Sequence, residues 1–149
     1  MNANTAKPAK PAEAPVLTEA ALRKMPAPKY MNAEQLAFFR VQLLRMRQEI
    51  FDNASHTSEH LRAHEAEPDV ADQATIEEEN ALELRTRDRE RKLLRKIEEA
   101  LKRIDDGSYG YCEETGEAIG IPRLLARPTA TLTIDAQSRR EQKQKLFGR

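Results

Sequence analysis

Leu36, Phe39, Leu43, Met46 and Ile50 are spaced by 3, 4, 3 and 4 residues. That is the repeat of a helix packing along one seam against another helix. A second seam follows at Leu94, Ile97, Leu101 and Ile104. Asn32 with Gln35 supplies an N-cap and its capping-box partner for the first run. Pro68 stops that run, and Asp106-Gly107 stops the second, which begins near Asp72. Each run would span about 50 Å at the rise of an α-helix. Two such helices joined by a short loop pack most simply as an antiparallel hairpin.

The seams are strongest where the first helix begins and the second ends. Beyond Ile50 the first register meets Asn53, Thr57, His60 and His64, or slips onto Ala54 and Leu61. The hairpin is therefore expected to be anchored at its base and polar at its tip. Only 39% of the 149 residues are hydrophobic, 34% are charged, and Trp is absent. This composition predicts an elongated molecule with a modest core. Formal net charge is zero, which argues against a general DNA binder. The zero conceals segregation: Glu65 to Glu79 holds seven acids and no base, whereas Arg85 to Arg103 holds nine bases and four acids. Arg123 to Arg149 adds seven bases and two acids. Patches of both signs suit a molecule that meets more than one kind of surface.

Cys112 is the single cysteine, so no intrachain disulfide can form, in keeping with a reducing cytosol. No apolar run is long enough for a membrane span or signal sequence, and the expected location is cytoplasmic. Residues 1–30 hold five of the eight prolines and read as a flexible N-terminal tail. Within them, Val16 to Leu22 could form a short helix against a partner surface. Residues 31–106 form the hairpin, with an acidic tip at 68–74. Residues 107–136 form a small Gly- and Pro-punctuated module, and 137–149 a C-terminal helix and tail.

The module has the layout of a metal knuckle without its ligands. Cys112 and Thr115 occupy the first C-x2-C pair, and Thr133 and Ala136 the second, with 17 residues between the pairs. Four cysteines at this spacing would fit a zinc site. One thiol, two neutral hydroxyls and a methyl cannot supply four donors, and the alternative acids Glu113, Glu114 and Asp135 make a poor set. The shape is expected to persist without zinc, around Tyr109, Tyr111, Ile119, Ile121, Leu124, Leu132 and Ile134. About thirty residues are too few to stand alone, so the module should pack on the hairpin base.

Three further motifs have bland readings beside functional ones. His56, His60 and His64 share a helical face, where a pair four apart can chelate zinc, but a polar seam explains them better. The stretch "RTRDRERK", 85–92, reads as a solvated helix laced with pairs such as Asp88 with Lys92, or as a surface that a partner covers. The stretch "PDVADQA", 68–74, offers Asp69 and Asp72 as helix caps, or as two carboxylates presented by a narrow arm.

Taken together, "YMNAEQLAFFR", "PDVADQA", "EEENALELRTRDRERKLLRKIEEALKRI", "YGYCE", "IGIPRLLARPTA" and "LTIDA" resemble the DksA/TraR family of bacterial RNA polymerase regulators, over about Tyr30 to Gln144. The chain is most similar to the cysteine-poor, zinc-independent members. The resemblance implies an all-α fold: a long antiparallel coiled-coil hairpin, a small zinc-finger-like globule and a C-terminal helix. It implies a monomeric, non-enzymatic regulator that enters the secondary channel of RNA polymerase and makes no sequence-specific DNA contact. Working with the alarmone ppGpp, such a factor destabilises open complexes at ribosomal RNA promoters and helps activate some biosynthetic ones. Asp69, Asp72 and Ala74 would then approach the polymerase active site, and Arg89 would contact the channel rim. Leu93, Lys96 and Arg127 would line the ppGpp site, where a further basic residue is expected and this chain has Gln137. The alternatives are a transcript-cleavage factor of the same channel-entering design, whose tip acids help hold Mg²⁺, and a plain coiled-coil adaptor.

Overall fold

A computed structural model describes residues 17–65 and 70–148, with side chains placed for all of these except 57, 58, 60–65 and 70–72. Five α-helices are present among them: α1 (Glu19–Lys24), α2 (Ala33–Glu65), α3 (Val70–Asp106), α4 (Ile121–Ala126) and α5 (Ile134–Phe147). There is no strand among the described residues, only an isolated antiparallel bridge between Tyr111 and Ala118. The fold is the all-α hairpin with a small globule expected from the sequence. The predicted stop at Pro68 lies outside the described residues, and α3 begins at Val70, slightly before the predicted start.

Two long helices form because each carries an apolar stripe and a capped end. The Asn32 side chain accepts from the Gln35 N–H at 2.9 Å. The Gln35 side chain reaches back, but to the Met31 N–H at 2.8 Å, one residue earlier than in a standard capping box. The Asn32 N–H is already taken by the Lys29 carbonyl at 3.0 Å, which explains the shift. At the other end, Gly107 adopts φ +84° and lets the Ser108 N–H return to the Arg103 carbonyl at 3.0 Å. That closure ends α3.

Two ion pairs mark the register of the hairpin, which the buried apolar seam enforces. Arg40 pairs with Asp105, and Arg47 with Glu98 at 3.1 Å. Seven residues up α2 match seven down α3, so the helices run antiparallel. Along the same stretch run the buried seams: Phe39, Leu43 and Ile50 from α2, and Ile97, Leu101 and Ile104 from α3. Phe38, Ala100 and Gln35 are also buried, beyond the heptad positions, and the Gln35 side chain meets Met25 and Met31 of the segment before α2. Past Ile50 a shallow groove between the helices is lined by Phe51 and Ala54 from α2 and by Arg87, Glu90 and Arg91 from α3. Arginine stems can cover apolar surface while their heads stay wet, so the seam continues without a dry core. Val70 lies 24 residues before Leu94, so about 35 Å of arm stands beyond the core.

The segment 17–30 corrects the expectation of a flexible tail reaching to residue 30. Thr18 caps α1 by accepting from the Ala21 N–H at 3.1 Å, and Leu22 is fully buried in the core. This short helix packs on α4 of its own globule, not on a partner. One leucine meeting an apolar hole decided the matter, and that hole exists only after the globule forms. A second correction concerns the small core. Tyr109, Ile119, Leu124 and Leu132 are buried as expected, but Ile134 is 62% exposed and Tyr111 also faces solvent. Ile134 is the first residue of α5 and turns outward, while Ala136 takes the inner place.

Candidate functional site

The knuckle holds its shape through hydrogen bonds. The Cys112 N–H donates to the Glu117 carbonyl at 2.8 Å, and the Gly116 N–H to the Cys112 carbonyl at 2.9 Å, which closes the first loop. The Glu113 N–H donates to the Thr131 carbonyl at 2.9 Å and joins this loop to the second. Tyr30, from outside the module, ties two of its turns together: its hydroxyl donates to the Gly110 carbonyl at 2.6 Å and accepts from the Gly120 N–H at 2.9 Å. Burial raises the Tyr30 pKa, so the hydroxyl remains a donor. Tyr109 donates to the Pro128 carbonyl at 2.7 Å, and Arg123 to the Leu132 carbonyl at 2.8 Å. Gly110 must be glycine, since its φ is +90° and a Cβ there would lie 2.6 Å from the Met31 sulfur.

The four former ligand positions do not fit zinc. Cys112 is buried, but Thr115 is exposed and accepts from the Glu117 N–H at 3.3 Å. Thr133 is the N-cap of α5, accepting from the Ala136 N–H at 3.2 Å. Ala136 is a fully buried methyl. The hydroxyls are thus engaged in protein hydrogen bonds, and the fourth position has become core. No group of three or more His, Cys, Asp or Glu able to hold a metal occurs among the described residues. Burial raises the Cys112 pKa, but hydrogen bonds from the Thr115 hydroxyl and the backbone N–H groups of Thr133, Thr115 and Glu114 outweigh it and bring the thiol down to about 7. A sulfur that a metal would otherwise neutralise is stabilised here by donors.

Where the arm meets the knuckle there is an open cleft of about 340 Å³. Lys96 enters it from α3, Arg123 and Arg127 from α4 and its end, and Gln137 and Arg140 from α5. Glu99 and Glu113 are the acids of its wall, so cations outnumber carboxylates four to two. Lys96 and Arg127 are exposed and share this cleft although 30 residues separate them. A concave surface with this balance suits a phosphorylated anion.

The other candidate residues fall into two groups. Arg89 is exposed on α3, two turns before Lys96 and on the same face. Leu93, between them, is half-buried and packs against the core; it is not part of the cleft wall. Ala74 is exposed on α3. Asp69 lies outside the described residues, and Asp72 is described only as a backbone position in the first turn of α3. His56 is exposed, and the side chains of His60 and His64 are not described. Arg123, Arg140 and Tyr30 were missed by sequence reading. Arg140 was legible in principle, lying three residues after Gln137 on one helical face. Tyr30 gave no local signal, because its partners are 80 and 90 residues away.

These features define a class of protein: a coiled-coil arm rising from a finger-shaped base, with an anion-friendly cleft at the joint. Residues 35–104 match the family profile described as DnaK suppressor protein DksA, N-terminal domain. Residues 107–142 match the prokaryotic dksA/traR C4-type zinc finger, although one cysteine remains here. The chain is 52% identical over 118 residues to the RNA polymerase-binding transcription factor DksA of Caulobacter vibrioides, covering 78% of this chain and 83% of that one. It is 48% identical over 124 residues to the protein of that name from Escherichia coli K12, covering 83% and 82%. The solved structure of transcription factor DksA2 from Pseudomonas aeruginosa superposes with a TM-score of 0.79 at 47% identity, covering 86% of this chain and 99% of that one. The chain belongs to the DksA/TraR family.

Proposed function

We propose that this protein is a non-enzymatic regulator of transcription that binds RNA polymerase through its secondary channel and acts together with ppGpp. Its relatives bear the name RNA polymerase-binding transcription factor, and the shape of the chain fits the role. The arm is narrow, and the rigid core is confined to its base. The globule would grip the channel rim, aided by Arg89, while Asp69, Asp72 and Ala74 approach the active-site region. Open complexes at ribosomal promoters would be destabilised, and some biosynthetic promoters helped. The factor would act in the cytoplasm as a monomer, without reading DNA sequence. No helix among the described residues is long and apolar enough to cross a membrane.

The observation that carries the ppGpp part is the cleft: Lys96 and Arg127 converge at the joint of arm and knuckle. The test is co-purification with core RNA polymerase, then transcription from a ribosomal promoter with and without ppGpp. Lys96→Ala and Arg127→Ala should each weaken the ppGpp response roughly tenfold, the scale of a charge-assisted phosphate contact, while polymerase binding changes less. Failure to co-purify would sink the reading and favour a coiled-coil adaptor. Cleavage of RNA in arrested complexes would favour the transcript-cleavage alternative.

A further inference from the structure

The cations of the cleft are not equally available to a ligand. Arg123 donates its Nε–H to the Leu132 carbonyl at 2.8 Å and is part of the knuckle's frame. Lys96 and Arg127 have no side-chain partner among the described residues and stand ready. Arg140 is the intermediate case. Its Nε lies 3.1 Å from Glu114 Oε1, and Nη2 bonds the same oxygen. Its Nη1 lies 3.7 Å from Glu113 Oε1, beyond hydrogen-bond distance. Glu113 has a second cation, Arg103, at 3.8 Å, so it does not depend on Arg140. The Nε and Nη2 edge of the Arg140 guanidinium is therefore anchored on Glu114, while Nη1 makes only a long ion pair with Glu113, itself a residue of the cleft wall, and donates no hydrogen bond.

From this geometry we infer that Arg140 is a phosphate-binding residue of the cleft, held in place by Glu114, and that with Lys96 and Arg127 it completes a three-cation site for a polyphosphorylated nucleotide. The inference rests on the reading of the cleft as the ppGpp site and adds a residue to it. A guanidinium can serve a carboxylate on one edge and a phosphate on the other, because its five N–H donors lie in a fixed plane. Gln137, one turn earlier on α5, is neutral and donates its amide to Glu141 at 2.9 Å. Arg140 is thus the cation that α5 presents to this cleft.

The test measures ppGpp binding to the complex of RNA polymerase with the full-length protein, with binding to polymerase alone subtracted. Arg140→Gln keeps a donor for Glu114 and removes the charge. It should weaken factor-dependent binding about fivefold to tenfold, since a partly exposed ionic contact is screened. Gln137→Lys in the Arg140→Gln background should restore most of the loss by returning a cation to the same helix face. Melting temperature and polymerase affinity of each variant report any damage to the fold. If Arg140→Gln binds ppGpp like the parent while Lys96→Ala and Arg127→Ala do not, the role of Arg140 is overturned and the site stands. A loss that Gln137→Lys does not restore and that tracks reduced polymerase affinity makes Arg140 a structural residue and overturns it too. If the parent protein adds no ppGpp binding, the site and the inference fail together.

Discussion

At the scale of single residues, two side chains help hold the shape of the knuckle through hydrogen bonds. Tyr30 bridges Gly110 and Gly120 with one hydroxyl. Tyr30→Phe leaves a partly buried carbonyl and N–H short of a partner, and should destabilise the protein by about 2 kcal/mol in denaturant unfolding. Gly110→Ala should cost more, since it adds backbone strain to a steric overlap. Cys112 is the second. Its thiol pKa is depressed to about 7 from an ordinary 9.0, so folding favours the thiolate. This contribution is absent below about pH 7, grows as pH rises toward 9, and is complete above the unfolded value. The stability advantage of the parent over Cys112→Ser should therefore widen between pH 6 and 9. An advantage independent of pH would mean that the sulfur only fills space. Regulatory activity of Cys112→Ser at neutral pH should remain, because the thiol faces the core and not the cleft.

At the scale of elements, the hairpin is two structures in one. Its base is a buried apolar seam, and its outer part carries exposed, mostly charged or polar side chains at the described positions. Ile97→Ala removes a fully buried side chain and should cost about 2–5 kcal/mol. Leu84→Ala, at a position 55% exposed, should change stability by less than about 0.5 kcal/mol. Thermal and urea unfolding of the pair would reveal this polarity, and equal losses would contradict it. The tip, by contrast, should matter to function and not to folding. Asn caps a helix about as well as Asp, so Asp72→Asn should fold and occupy the polymerase channel normally. It should fail to shorten open-complex lifetime at a ribosomal promoter if the carboxylate acts there. Full inhibition at equal channel occupancy would reduce Asp72 to a cap.

At the scale of the whole molecule, the globule is a zinc-finger shape stabilised by attachment. Leu22 of α1, Tyr30, and Phe38 and Phe39 of α2 supply the packing that a thirty-residue module lacks. Phe39 and Tyr109 meet with ring centroids 5.6 Å apart, joining arm and knuckle in one core. Purified protein should accordingly carry far less than one zinc per chain. A strong chelator should leave helicity and melting unchanged, and a stoichiometric zinc by elemental analysis would contradict this. The same continuity builds the cleft, whose walls come from α3, α4 and α5 together.

The heptad seams, the caps and the Gly107 stop were readable directly from the chain, because each depends on residues within a turn or two of one another. So was the replacement of three of the four cysteines of the zinc pattern, since ligand chemistry is a property of residue type. Local spacing could not show that residues 17–30 belong to the core, that Tyr30 clasps turns 80 and 90 positions away, or that Ile134 faces water while Ala136 does not. Those outcomes depend on which surfaces remain uncovered once the arm and knuckle have packed. The resemblance of motifs pointed to Lys96 and Arg127; their meeting with Arg140 in one cleft, with its guanidinium anchored on Glu114, was decided by the tertiary structure. Distance in sequence carries no information about such convergence, whereas packing against a shared core enforces it.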